Sequence, residues 1–455
     1  MQNYIFFLEV ICKVTYFFHI IGFMKRMFEH KLKEWKEDAS KKPLVIYGAR
    51  QVGKTTTVGE FASNNYENFF EINFIERQDL KRAFEGNLEP ESLFSNIEAL
   101  SGQKIAQGSC LFFDEIQECE NAISSLKFLR GNQRGVDVIS AGSTLGVYIA
   151  RSASFPVGNV TIRKMKPMNF EEFCRALGED VAFDAVKRSF KTKEFCVVHD
   201  KMLDLWRKYL LVGGMPEAVK KFAETKSVDS VAETQDNINT AYVADMAKYI
   251  QNLDATKVID CWKSVPTQLS KESGATKFAW KNVSSGANSR SHGTAINWLA
   301  NAGVVNKLNL VTAGVSPLAS FENKESFKIY MADTGLLSRM YRAKMSDFDQ
   351  SDHRSARFRG GVVENFVMQE LIANDAHPYY WGVKSKHEVD FVVNAKDGIV
   401  PIEVKSGNNT RATSASYFAE KYGITQVIKL STKNFGEMDG VVSIPIYAAG
   451  LIEAE

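Results

Sequence analysis

The chain has 455 residues, 45% of them hydrophobic and 24% charged, the usage of an ordinary globular protein long enough for about three domains. Lysine and arginine number 56 against 54 aspartates and glutamates, a formal charge of +2. That balance excludes a polybasic chain but leaves room for a local basic groove. Six scattered cysteines (Cys12, Cys110, Cys119, Cys174, Cys196 and Cys261) form no CxxC pair, which excludes a dense disulfide framework or zinc ribbon and fits a reducing, cytoplasmic setting.

The first 23 residues are an apolar leader, rich in aromatic and aliphatic side chains and followed by Lys25 and Arg26. Taken alone it resembles a signal anchor. Glu9 and Lys13 oppose that reading, because a charge at mid-membrane costs about 2.5–3.5 kcal/mol on insertion scales, although the two are spaced to pair on a helix. Met24 and Met27 offer later starts. A miscalled start or a packed N-terminal helix is preferred to an anchor, and no membrane partner is expected.

Downstream, Lys42–Tyr47 is predicted as a buried strand, 54–65 as a helix, Phe69–Phe74 as a strand and 91–100 as an amphipathic helix. Cys110–Phe113 and Val136–Ala141 read as two further buried strands. Strands alternating with helices predict a parallel α/β sheet. From Phe170 to about Asn252 the pattern is helical, with a sharp turn at Gly213-Gly214-Met215-Pro216. Residues 256–312 read as short helices ending in a strand-like run, and 327–449 as mixed α/β. No repeat or low-complexity tract interrupts the chain.

Gly48-Ala49-Arg50-Gln51-Val52-Gly53-Lys54-Thr55 satisfies GxxxxGK[ST] between a predicted strand and a predicted helix. Gly48 and Gly53 allow the backbone to curl its N–H groups around phosphate oxygens, and the helix N-terminus adds its dipole. Lys54 is expected to neutralise the β- and γ-phosphates of ATP, Thr55 to ligate magnesium, and Thr56 to continue the nucleotide-binding turn. Sixty residues after Lys54, the apolar run Leu111–Phe113 ends in Asp114 and Glu115. Asp114 is expected on the magnesium and Glu115 as the base that polarises water. Ser143, after the Val136–Gly142 strand, is either a contact to the γ-phosphate or its water, or ordinary turn chemistry.

These stretches, with Pro167–Phe173, Gly213–Pro216, Met331–Leu337 and Pro401–Lys405, resemble the prokaryotic AAA-type P-loop ATPases that carry a C-terminal restriction-endonuclease-like, PD-(D/E)XK, domain of unknown function. The resemblance covers roughly Met27 to the C-terminus. It implies an α/β fold: an AAA-type parallel-sheet core at 24–165, a helical lid at 166–255, a winged-helix-like segment at 256–320 and a mixed α/β nuclease-like domain at 321–455. It places Ser143 at the sensor position. Asn159 stands where relatives usually show Arg or Lys, so Arg130, Arg134, Arg151 or Arg163 become candidates for that cation.

Val389–Val393 and Pro401–Lys405 read as strands joined at Asp397-Gly398. Residues two apart on a strand share a face, so Glu403 and Lys405 point together. Asp390 joins them from the neighbouring strand, and Glu364 from a preceding helical stretch. This is the carboxylate–carboxylate–lysine pattern of PD-(D/E)XK nucleases, in which two acids hold magnesium. The alternative is two solvated strands. For 262–311, a recognition helix at Arg290–Ala300 would carry Arg290, His292, Asn297 and Trp298, with Lys271, Lys277, Lys281 and Lys307 near phosphates; a protein-docking module fits equally. Double-stranded DNA, a protein partner and self-association are therefore the candidate partners. The functional expectation is a magnesium-dependent ATPase whose nucleotide state controls a DNA-binding or nuclease-like half. The alternative is a slow ATP-dependent switch that binds a protein and cuts nothing.

Overall fold

The computed structural model describes residues 24–151, 155–248, 254–270, 277–349, 356–383, 387–406 and 412–454. The leader at 1–23, Lys271, His353 and the side chain of Arg151 lie outside the described residues. No helix among those described is long and apolar enough to cross a membrane. The chain divides into two bodies. One comprises Arg26–Lys166 with Asn301–Gly303; the other holds the described residues of Pro167–Ala300 and Val304–Glu455.

In the first body, β1 (Leu44–Tyr47), β2 (Phe69–Asn73), β3 (Cys110–Asp114), β4 (Asp137–Gly142) and β5 (Thr161–Lys164) form one sheet in the order β2-β3-β4-β1-β5. All four pairings are parallel. Every residue of β3 is buried, as expected of a strand covered on both faces. Its Phe113 packs edge-on against Phe84 at 5.4 Å, and Phe74 meets Phe84 at the same distance. Helices Lys54–Asn65 and Pro90–Ser101 follow β1 and β2, close to their predicted bounds.

In the second body, five helices run between Phe170 and Lys248. An eight-stranded mixed sheet comes next, in the order β12-β13-β11-β10-β9-β8-β6-β7. Its strands are β6 (Val305–Val311), β7 (Glu322–Met331), β8 (Tyr379–Val383), β9 (His387–Ala395), β10 (Gly398–Val404), β11 (Val427–Ser431), β12 (Gly436–Met438) and β13 (Val441–Pro445). The strand-like run near 312 is β6, which pairs antiparallel with β7 and parallel with β8. β9 and β10 form the predicted hairpin, with Ala395 opposite Gly398. The two turn residues are therefore Lys396 and Asp397, one position earlier than the Asp397-Gly398 signal.

Three of the recognised stretches meet inside the second body as one buried polar network. Met168 N–H donates to the Gly214 carbonyl at 2.7 Å, and Gly214 N–H donates to Asp333 Oδ2 at 2.6 Å. Asp333 Oδ1 caps the helix Thr334–Met340 by accepting from Leu336 N–H at 2.9 Å. Gln369 Oε1 accepts from both the N–H and the hydroxyl of Thr334, while its Nε2 donates to the Tyr209 hydroxyl at 2.7 Å. Gly213 is required here: its φ is +76°, and a Cβ would lie 2.2 Å from Asp333 Oδ1. Glu370 Oε1 accepts from Phe170 N–H at 2.8 Å, satisfying an orphan donor at the start of the helix Phe170–Ala176.

Burial, reinforced by Glu172 and Glu171, pushes the Glu370 carboxyl up to about 8. Since this folded-state value lies above that of an unfolded glutamate, its stabilisation is complete below about pH 4.5 and is lost as pH rises through 8. Glu370→Gln keeps the acceptor for Phe170 and removes the ionisation. Thermal melts should place this variant about 4 °C or more above the wild type at pH 9, with the gap closing by pH 5. A gap independent of pH would refute the buried protonated carboxyl.

Candidate nucleotide site

Parallel strands present their carboxyl ends along one edge of a sheet, where ligands are usually held. Here the loops after β1, β4 and β3 leave that edge side by side. At Gly48 a Cβ would lie 2.1 Å from the Met165 carbonyl oxygen, so the turn out of β1 excludes any side chain. Gly53, at φ +93°, is the N-cap of the helix Lys54–Asn65. Between them Gln51 has a positive φ of 64°, a conformation that costs a non-glycine residue energy.

Lys54 is 6% exposed. Its Nζ curls back onto the Gly48 and Ala49 carbonyls at 2.9 and 3.0 Å, across the mouth of the loop. The Thr55 hydroxyl donates to Asp114 Oδ2 at 2.8 Å, which brings the two expected magnesium ligands into contact. Asp114 Oδ1 is buried with no hydrogen-bond partner. Burial raises the Asp114 carboxyl above its ordinary value; the Thr55 hydroxyl opposes the rise, the charge of Glu115 adds to it, and the Glu115 backbone N–H and Lys54 oppose it. An orphaned buried oxygen beside a hydroxyl is the donor set a hard divalent cation takes, so these residues fit magnesium. Thr56 is exposed in the first turn of the helix.

Glu115 has φ +50°, which turns its side chain out of the β3 line. Gln117 Nε2 donates to Glu115 Oε2 at 2.5 Å, and Ser143 Oγ donates to the same oxygen at 3.4 Å. A Cβ on Gly142 would strike Gln117 Oε1 at 2.1 Å. The glycine before Ser143 is therefore what admits Gln117.

Several members of this arrangement were not singled out from sequence. Gln117 is one. Asn73, opposite Asp114 in register, donates to Asp114 Oδ2 at 3.3 Å. The buried Arg26 donates through Nη1 to the Val52 carbonyl at 2.5 Å and through Nη2 to the Lys166 carbonyl at 2.7 Å, bracing the phosphate loop from behind. Lys164 ends β5 in register with Tyr47, the residue before Gly48; burial, then the charge of Lys166, lowers its ammonium to about 8. None of these carries a motif. Of the substitute cations considered for Asn159, Arg134 is held by Glu91 and Glu98 just before β4 begins, at the far edge of the sheet. Arg130 and Arg163 are exposed.

In the second body, Asp390 and Glu403 lie on the paired strands β9 and β10, and Lys405 follows β10. Asp390 Oδ2 accepts from Val404 N–H at 2.8 Å. Glu403 Oε1 binds Lys405 Nζ at 2.6 Å, and Glu403 Oε2 accepts from Ala415 N–H at 2.9 Å. Glu364, on the helix Ala356–Ala373, accepts from the Tyr330 hydroxyl at 3.1 Å. No group of three His, Cys, Asp or Glu side chains among the described residues is placed to hold a metal ion. The acids that the nuclease resemblance would place on magnesium are each held by a protein donor in this arrangement. On the helix Ser289–Asn301, His292 and Trp298 are buried. They face the protein interior rather than a ligand, because they occupy the apolar side of an amphipathic helix; Arg290 and Asn297 are exposed. The five described cysteines are free and buried.

Residues 40–174 match the family model of an AAA domain. Residues 203–347 and 359–448 match two models described only as domains of unknown function, DUF8612 and DUF4143. No curated protein matches. Similar solved structures include a Walker-type ATPase of Pyrococcus abyssi, 14% identical, with a TM-score of 0.45 over 70% of this chain and 96% of that one. The Orc1 protein of Aeropyrum pernix in complex with DNA is 12% identical, with a TM-score of 0.29 over 69% and 91%. Cdc6p of Pyrobaculum aerophilum is 9% identical, with a TM-score of 0.26 over 68% and 90%. The AAA match, the parallel sheet and the loop together make the first body an AAA-type P-loop domain, a class that binds ATP.

Two tests probe this geometry. A chain beginning at Met24 retains Arg26 and should bind ATP like the full chain. Arg26→Ala, by leaving two backbone carbonyls unpaired, should weaken ATP binding by about tenfold, near 1.4 kcal/mol. Calorimetric titration measures both; an unchanged affinity for Arg26→Ala would show that the brace does not shape the loop.

Proposed function

We propose that this protein binds ATP with magnesium, hydrolyses it, and uses its nucleotide state to control the half of the chain after Lys166. The contact between Thr55 Oγ1 and Asp114 Oδ2, with Oδ1 left unpaired in a buried site, carries the reading. It supplies the donor set for a magnesium–phosphate complex at the N-terminus of a helix. The loop N–H groups from Gly48 to Thr55 would cradle phosphate oxygens, with Thr56 continuing the turn. Lys54 would exchange its two backbone carbonyls for the β- and γ-phosphates. Thr55 and Asp114 would hold the magnesium, which supplies charge neutralisation to the phosphates when bound. The Glu115 carboxylate, oriented by Gln117 and Ser143, would accept the proton of the attacking water. The positive φ of Glu115 supports this role, since strained backbone of that kind concentrates at working sites.

Within the second body, the division into a lid at 166–255, a winged-helix-like segment at 256–320 and a nuclease-like segment at 321–455 is our functional reading. Double-stranded DNA is the proposed partner of the exposed Arg290 and Asn297 face, with Lys277 and Lys281 nearby in sequence. A specific observation favours a second reading, a switch that binds a protein partner or itself and cuts nothing: each acid of the nuclease-like cluster is already hydrogen-bonded or ion-paired. ATP turnover with and without duplex DNA, at two salt concentrations, separates the two. Stimulation that fades steeply with salt supports DNA; turnover indifferent to DNA supports the switch.

Glu115→Gln preserves shape and removes the base. It should bind ATP normally and turn over about 10²–10⁴-fold more slowly. Lys54→Ala should lose ATP binding by about tenfold or more while melting like the wild type. Unchanged turnover in the first variant, or unchanged affinity in the second, would remove that residue from the mechanism.

A further inference from the structure

Lys328 lies on β7, far in sequence from the Asp390, Glu403 and Lys405 pattern. Its side chain is 12% exposed. Its Nζ is ion-paired with Glu388 of β9 and lies 3.5 Å from Glu364 Oε2, while the same ammonium sits over the Tyr380 ring at 5.3 Å. Although burial opposes its charge, Glu364, Tyr330, Glu388 and Asp390 together hold the Lys328 ammonium well above its ordinary value. Burial, then Glu364, raises the Asp390 carboxyl, and Lys328 opposes that rise. One ammonium thus serves both Glu388, from β9, and Glu364, from the helix Ala356–Ala373.

The neighbouring acid is satisfied in the same way. Glu403 uses one oxygen on Lys405 and the other on the Ala415 N–H. Magnesium requires oxygens at about 2.0–2.1 Å in near-octahedral array. Carboxylates closed around ammonium groups and backbone donors do not present that array. An ammonium also supplies three N–H donors, which suit several separated carboxylates better than they suit one point of convergence.

We propose that Lys328 is the resident cation of the C-terminal acid cluster, standing where a PD-(D/E)XK nuclease would hold magnesium. The C-terminal half then engages its ligand without a divalent metal and without cleaving a phosphodiester. This proposal is independent of whether the AAA-type body turns over ATP.

The test is a titration of the nucleotide-free full-length protein with Mn2+, counting free ion by electron paramagnetic resonance. Wild type and Asp390→Asn should bind the same number of ions. Lys328→Met removes the ammonium and leaves Glu364 and Glu388 facing a vacated space. It should gain one site, about tenfold or more tighter than residual surface binding, and adding Glu388→Gln should abolish that site. ATP affinity and the melting transition report folding of each variant. If Lys328→Met does not fold, the wild-type comparison still decides. A wild-type Mn2+ site lost in Asp390→Asn, or magnesium-dependent nicking of DNA lost in the same variant, overturns the proposal. A folded Lys328→Met that gains no site overturns it as well.

Discussion

The parallel register of β3, β4 and β1 is the constraint on which the nucleotide site depends. Strands paired Phe113 to Ser140, and Ile46 to Ala141, end within a residue or two of one another. The loops leaving these strands must therefore emerge at the same edge. A parallel pair cannot be closed by a short turn and needs a crossover, which separates Lys54, Asp114 and Ser143 widely in sequence while the sheet gathers them. A slip of one residue would turn Asp114 to the opposite face of the sheet and break its bond to Thr55. The aromatic packing of Phe74, Phe84 and Phe113 therefore serves the site as well as the core. It fixes β3 lengthwise, and with it the position of a buried carboxylate whose second oxygen has no protein partner.

The second body is organised by buried hydrogen bonds. Asp333, Gln369, Glu370 and Tyr209 occupy an interior where an unpaired polar group would be costly, and each finds partners among the backbone groups of Met168, Phe170, Gly214, Thr334 and Leu336. Such a network has few alternative arrangements. It ties the beginning of the helical segment, the Gly213-Gly214 turn and the helix Thr334–Met340 into one unit, which gives those three short stretches a shared structural role. The pH sensitivity of the network has its origin in the same burial, since low dielectric favours the neutral form of Glu370.

At the acid cluster the same elements admit two different chemistries. β9 and β10 pair so that Asp390 and Glu403 come from adjacent strands, as a metal site would require. The outcome is decided by the groups that close around them: Lys405 from the same strand end, Ala415 from a helix start, and Lys328 from a strand at the far side of the sheet order. Removing a buried charge from water without a partner is far more costly than pairing it, and each acid of the cluster has a donor or an ammonium beside it.

The sequence by itself determined the elements whose signals are local. The phosphate loop, the helix Lys54–Asn65, the buried run ending in Asp114 and the β9–β10 hairpin all depend on residues a few positions apart: glycines where a turn excludes Cβ, apolar runs where a strand is buried on both faces, alternation where residues two apart share a face. Tertiary structure alone decided the rest. Strand order put β4 between β1 and β3. Arg26, Asn73 and Gln117 joined the site through contacts that leave no periodic trace. His292 and Trp298 turned inward, because burying an apolar helix face outweighs leaving it open to a ligand. Lys328 reached its acids across the sheet from a position without any motif. Charge pairing and burial act between residues close in space, and sequence separation carries almost no information about which those will be.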